Sequence, residues 1–205
     1  VTFWQNEEIG EGNRQARDGW KPDSHWICHD GCDGEDSYEA LLAAADPESD
    51  FAPVDTGTPL LAIYTAAFSG RPGAALLSHE SLLIMAWLAL QSQKIDEHSG
   101  YLVSGPMFHI GVLMGTLGTF LAGGRNAFVP RVDAENLLRM IEAEKLTHAF
   151  VPQPTVLQMR EVNKDGTYDV TSLFADNQMS DWRMPMVMPA DAPAVRKLGG
   201  YGQTE

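Results

Sequence analysis

A chain of 205 residues is long enough for one large domain, and its 44% hydrophobic content is ordinary for a folded globular protein. The formal charge of −14 excludes the clustered Lys and Arg surface that nucleic-acid binding requires, leaving small molecules and proteins as expected partners. Val1 to Trp20 is too polar for a signal peptide, and two cysteines do not make a disulfide framework, so free thiols and a cytoplasmic location are expected.

The first thirty residues show no sustained period. Ser37 to Ala45 is rich in helix formers behind a Ser cap, and the acidic, Pro- and Gly-bearing Pro47 to Thr58 reads as a loop. Leu60 to Tyr64 has the apolar run of a buried strand, and Ala74 to Leu77 of a second. Ser78 then caps a helix reaching about Gln93, and Tyr101 to Ser104 is strand-like. The longest apolar run, Ile110 to Gly124, is shorter than the ~20 residues needed to cross a bilayer and reads as a buried helix. Arg125 to Pro130 is a further strand. Asp133 caps a helix over Ala134 to Lys145, Thr147 to Val151 is another strand, and Pro154 to Glu161 a last helix. Strands alternating with helices predict an α/β fold with a largely parallel sheet flanked by helices. Such sheets bind ligands beyond the carboxyl ends of their strands, which directs attention to the loop after Tyr64 and the segment after Gly200.

Four segments carry chemistry. Tyr64-Thr65-Ala66-Ala67-Phe68-Ser69-Gly70-Arg71-Pro72-Gly73, with Ser78-His79 beyond it, offers the hydroxyls, glycine amides and cation that a polyphosphate wants. Pro106-Met107-Phe108-His109-Ile110-Gly111 places a His before an apolar helix. Val132 to Leu137 and Thr147 to Pro152 form a helix–strand–Pro rhythm suited to packing. Tyr201-Gly202-Gln203-Thr204-Glu205 sets an aromatic face, a hydroxyl and a hard carboxylate within five residues.

In this order the four segments resemble the adenylate-forming (AMP-binding) superfamily, in its acyl-CoA synthetase or fatty-acid–CoA ligase branch, over about Tyr38 to Glu205. The resemblance implies part of that family's large N-terminal domain, with residues 1–36 unassigned and 37–205 a partial adenylation domain. It implies activation of a carboxylic acid with ATP, Mg²⁺ and coenzyme A. Thr65, Ser69, Gly70 and Arg71 would hold the outer phosphates, Tyr201 and Gly202 the adenine, and Thr204 the α-phosphate. Glu205 would hold Mg²⁺, and His109 would border the acid. A fatty or other hydrophobic acid is expected from the apolar Ile110 to Leu121; its length, its aromatic or aliphatic character and the oligomeric state stay open.

The sequence also departs from the family pattern, Tyr-Thr-Ser-Gly-Thr-Thr-Gly-Lys-Pro-Lys-Gly. Ala66, Ala67 and Phe68 replace small hydroxyl and Gly positions, and Gly73 stands where Lys is usual. Ala194 to Gly199 is too short for the helix and strand that normally precede the Tyr-Gly motif. The family's ribose-binding Asp, hinge and small C-terminal domain with its Lys have no counterpart here, so the chain is expected to be a fragment inactive alone. Two alternatives stand beside this reading. One is a non-catalytic acyl- or nucleotide-binding remnant or piece of a split protein. The other is a zinc site at His25, Cys28, His29 and Cys32, whose helical spacing conflicts with the turn signalled by Asp30-Gly31.

Overall fold

The computed structural model describes residues 1–5, 11–12, 15–16, 18–19, 25–29, 31–35, 37–48, 52–65, 70–129 and 131–173. The chain divides into two compact units, Val1–Pro53 and Val54–Glu205.

In the first unit, β1 (Thr2–Trp4) and β2 (Trp26–Cys28) pair in parallel, with Thr2 opposite Trp26 and Trp4 opposite Cys28. Cys28 also bridges to Ser37, and Ser37 caps α1 (Tyr38–Ala44) by accepting the Ala40 amide at 3.2 Å. The Phe3 ring meets Tyr38 edge-on, with centroids 6.2 Å apart. Cys28 and Cys32 are joined as a disulfide, their Cα atoms 6.0 Å apart. This corrects the expectation of free thiols: Gly31, at φ +63°, turns the chain so that the two cysteines meet. Residues Trp26–Cys28 are extended, so the helical face that would have gathered His25, Cys28, His29 and Cys32 does not form.

The second unit begins with a hairpin of β3 (Pro59–Tyr64) and β4 (Ala74–Ser78), antiparallel, with Ile63 opposite Ala75. β3 was expected to be buried throughout; Ile63 is buried, but Leu60 is 57% and Tyr64 74% exposed. The inward residues, Ile63 and Leu77 with Leu61 beside them, pack on Leu82 and Leu113. Ser78 caps α2 (His79–Gln93) through the Ser81 amide.

Three parallel strands form the centre of this unit: β5 (Gly100–Val103), β6 (Arg125–Phe128) and β7 (His148–Ala149), in the order β6-β5-β7. The fold is the expected mixed α/β type with a parallel sheet. α3 (Ile110–Ala122) returns the chain from β5 to β6, and α4 (Ala134–Glu144) carries it from β6 past β5 to β7. Moving in opposite directions along the sheet, right-handed crossovers put these helices on opposite faces. The cores agree. Tyr101 and Val103 join Val112 and Ile95 on one face, while Leu102 joins Leu137, Leu138, Ile141 and, from α5 (Gln153–Val162), Val156 and Met159 on the other.

Two details of that centre set its tolerance. The Tyr101 ring lies across Gly115, where an added Cβ would come within 2.1 Å of the phenolic oxygen. Burial also pushes the Tyr101 hydroxyl well above its usual range. On the other edge, His148 is buried, with Nε2 2.8 Å from the Gln93 carbonyl and Nδ1 2.8 Å from the Thr147 hydroxyl. The carbonyl takes an Nε2–H, leaving Nδ1 to accept from Thr147. Burial lowers the His148 pKa below 6.5, against smaller opposing effects of the Gln93 carbonyl and Asp96.

Gly115→Ala should destabilise the fold by about 1–3 kcal/mol, the usual cost of an extra methyl in a filled core, as read by urea unfolding. An unchanged midpoint would show that Tyr101 moves aside freely. For His148 the unfolded chain binds its proton at a higher pH than the folded one does. Stability is therefore full above pH 6.5 and falls as the pH drops through 6.5 toward the lowered folded value. Unfolding free energies of the parent chain and His148→Gln, compared across that window, should show a shallower acid loss in the variant.

Candidate functional site

Two places on the second unit hold the described site residues. The first is the mouth of the hairpin. The Thr65 amide donates to the Gly73 carbonyl at 2.9 Å, and the Gly73 amide donates back to the Thr65 hydroxyl oxygen at 3.1 Å. The same hydroxyl donates to the Gly73 carbonyl at 3.3 Å. Thr65 thus closes the neck of the loop, a contact made mostly with backbone. Gly70, at φ +80°, and Arg71 follow on the exposed side of the loop. Ser69 lies outside the described residues, as do Tyr201, Gly202, Thr204, Glu205 and the segment Ala194 to Gly199.

The second place is the carboxyl end of the sheet. After β5 the chain runs Ser104-Gly105-Pro106 to His109, and after β7 to Phe150 and Pro152. The buried Ser104 hydroxyl donates to the Phe150 carbonyl and ties the two strand ends together. His109 caps α3: its Nδ1 accepts the Gly111 amide at 3.1 Å, and its carbonyl accepts those of Val112 and Leu113. Its ring stacks on Phe150, centroids 6.4 Å apart and planes inclined 30°. A side chain at Gly111 would press on both rings, its Cβ 3.3 Å from His109 and 3.4 Å from Phe150. Because Nδ1 accepts a hydrogen bond it carries no proton, so Nε2–H is the group left to act as a donor.

The two places are linked through packing. Ile63, two residues before Thr65, shares a core with Leu113 and Ile110, the residue after His109. That contact fastens the hairpin beside the first turns of α3. Ser104 and Phe150 were not singled out from the sequence. Their signal was positional, a hydroxyl and an aromatic at the ends of adjacent parallel strands, and the strand order that makes them neighbours is not written in the local sequence. Among the described residues, no group of three or more His, Cys, Asp and Glu side chains is gathered to hold a metal.

Comparison with known proteins bears directly on this arrangement. The AMP-binding enzyme family matches residues 11–205. The chain belongs to that family. Over 133 residues it is 36% identical to an indoleacetate–CoA ligase of Aromatoleum aromaticum, an alignment covering 60% of this chain and 24% of that one. It is 33% identical over 118 residues to a feruloyl-CoA synthase of an Amycolatopsis species, covering 57% of this chain and 24% of the synthase. The fold matches the N-terminal domain of FACL13 from Mycobacterium tuberculosis with a TM-score of 0.73 at 19% identity, over 84% of this chain and 42% of that one. The chain thus spans about a quarter of the length of these curated relatives. Its fold is that of part of the FACL13 N-terminal domain. Among the described residues, no helix of this AMP-binding family member is long and apolar enough to cross a membrane.

Replacing the His109 cap tests its structural share. His109→Ala should lower stability by about 1 kcal/mol, a usual value for losing a side-chain cap, while His109→Asn, which can cap in its place, should lose less than half of that. Equal losses in thermal melts of both variants would locate the cost in the Phe150 contact instead.

Proposed function

We propose that the complete gene product containing this chain activates a hydrophobic carboxylic acid with ATP and passes it to coenzyme A, in the cytoplasm. The observation that supports this most is the pairing, within a member of the AMP-binding family, of a necked loop at Thr65–Gly73 with a capped His109 at the carboxyl end of the sheet. Named relatives that act on indoleacetate and ferulate widen the expected acids from fatty to aryl ones.

The acid carboxylate attacks the α-phosphorus of ATP, pyrophosphate leaves, and the thiol of coenzyme A then displaces AMP from the acyl-adenylate. In this reading the chain contributes position and charge neutralisation. Thr65, Ser69, Gly70 and Arg71 border the outer phosphates, with Arg71 as the cation and Thr65 holding the loop closed. The Nε2–H of His109 faces the acid as a hydrogen-bond donor, its ring fixed by Phe150 and the Gly111 amide. Tyr201 and Gly202 take the adenine, Thr204 the α-phosphate, and Glu205 supplies a carboxylate for Mg²⁺. That ion would supply charge neutralisation at the phosphates.

The altered loop favours one competing reading, a family member that binds acyl or nucleotide groups without turnover. Ala66, Phe68 and Gly73 remove hydroxyl and ammonium donors, and charge-assisted bonds of that kind are each worth on the order of 1.5–3 kcal/mol. ATP should therefore bind at least about tenfold more weakly than to a loop carrying the family's residues, since ~1.4 kcal/mol is a factor of ten. The structure leaves room for the repair: a Cβ at Gly73 would meet nothing nearer than the Thr65 hydroxyl at 3.7 Å. Phe68→Thr with Gly73→Lys in the complete gene product should tighten ATP by about tenfold or more. A non-hydrolysable acyl-adenylate analogue, which lacks the outer phosphates, should be held almost unchanged. Calorimetry reads both, and ATP–pyrophosphate exchange over fatty and aryl acids reads turnover. Tight ATP binding that the repair does not improve would remove the phosphate roles of Thr65, Ser69 and Arg71. Binding without exchange for any acid would favour the non-catalytic reading.

A further inference from the structure

The ligase reading makes no use of the first unit's cysteines, and the structure gives them a consequence of their own. We propose that Cys28 and Cys32 form a reversible thiol–disulfide modification site that controls the N-terminal cap of α1. The site takes a dithiol reductant, either small or carried by a protein. The proposal is independent of the adenylation chemistry.

The pair sits at a separation that a disulfide spans. The Cα separation of 6.0 Å lies in the ordinary disulfide range, and the two residues are four apart. Closing so short a loop removes little entropy from the unfolded chain, so the bond's contribution to global stability is small. Its effect is local. Cys28 is 6% exposed at the end of β2, whereas Cys32 is half-buried in a turn flanked by Gly31 and Gly34 at φ +63° and +132°. A dithiol therefore reaches Cys32 Sγ first. Its thiolate attacks that sulfur, the Cys28–Cys32 bond breaks, and Cys28 leaves and takes up a proton. The reductant's second thiol then attacks the mixed disulfide, Cys32 leaves and is protonated, and the reductant departs as a disulfide. Two electrons and two protons end on the cysteine pair.

The same turn positions α1. Ser37 donates its amide to the Gly34 carbonyl at 3.1 Å, bridges to Cys28, and accepts the Ala40 amide as N-cap. The bonded loop thus holds both ends of the segment that sets the cap. α1 has seven residues, and a helix that short is not stable by itself in water, so its cap and its attachment decide whether it persists. Opening the disulfide frees the turn between Cys28 and Ser37 and weakens the cap. In a reducing compartment a bond of this kind is a switch and not a permanent staple.

The test uses the 205-residue chain. Purified without reductant, it should resist maleimide at both cysteines, and its mass should rise by two hydrogens on reduction. Along a series of thiol-to-disulfide ratios, labelling should appear in a single two-electron step. Amide exchange across α1 should speed up about fivefold on reduction, the size expected for a lost cap. Cys32→Ser, a change in an exposed turn, should show the fast exchange without reductant, and its circular dichroism confirms folding. Ready labelling of both thiols in the unreduced chain would overturn the proposal, as would unchanged α1 exchange in both the reduced chain and Cys32→Ser. Stoichiometric zinc that shields both reduced thiols would make them metal ligands and overturn it as well.

Discussion

Burial of β5 on both faces is the constraint from which the second unit follows. Tyr101 and Val103 must be covered on one side and Leu102 on the other, and four residues of strand cannot do this for themselves. Helix α3 supplies one cover, and α4 with α5 the other. Right-handed crossovers on opposite faces then force the order β6-β5-β7. That order leaves the carboxyl ends of β5 and β7 side by side, where Ser104 meets the Phe150 carbonyl and Phe150 meets His109. The candidate site is thus a consequence of how the core is covered. Gly115 is part of the same demand, because α3 reaches β5 closely enough only where no side chain meets the Tyr101 ring.

What the sequence made legible was mostly local. Ser37, Ser78 and Asp133 each cap the helix they announce, because a cap is a contact between residues three apart. Helix ends fell within one or two residues of expectation for the same reason. The hairpin was harder. Two short apolar strands read alike whether they pair with each other or lie in a parallel sheet, and β3 and β4 pair antiparallel. The expected burial of Leu60 to Tyr64 holds at Ile63 alone, with Leu61 partly covered. Their apolar character records an appetite for cover that the described residues satisfy only at Ile63. Leu83, Ile84, Trp87 and Leu88 on α2 are in the same position, each about half exposed on a helix apolar around most of its girth. The Cys28–Cys32 bond and the stacking of His109 on Phe150 were not legible, since both depend on where turns bring residues together.

The hairpin loop separates two kinds of information that a motif combines. Its neck is built from the Thr65 hydroxyl and the backbone of Thr65 and Gly73, contacts that survive whatever stands at the tip. The departures at Ala66, Ala67 and Phe68 lie between those two residues in sequence. A sequence can therefore keep the frame of a phosphate loop while changing the donors it presents. Membership of the family and affinity for a polyphosphate are then distinct questions, answered by different residues of one motif.

The two units also draw on different sources of order. The second has a contiguous core of aliphatic side chains around Leu102, Leu137, Leu138 and Ile141, with His148 buried at the sheet's edge. Its order responds to packing and to protonation. In the first unit Cys28 is, among the described residues, the one buried hydrophobic residue, and Ser37 the one buried polar residue. Among its described residues that unit shows no apolar cluster like the one around Leu102. The ties its described residues show are the backbone pairing of β1 with β2, the Ser37 cap and the local cysteine bond. Because Cys28 and Ser37 bridge directly, the chemistry of the bond and the geometry of the cap are coupled through a single contact. Through that coupling, a redox change at the half-buried Cys32 would reach a helix that begins six residues later.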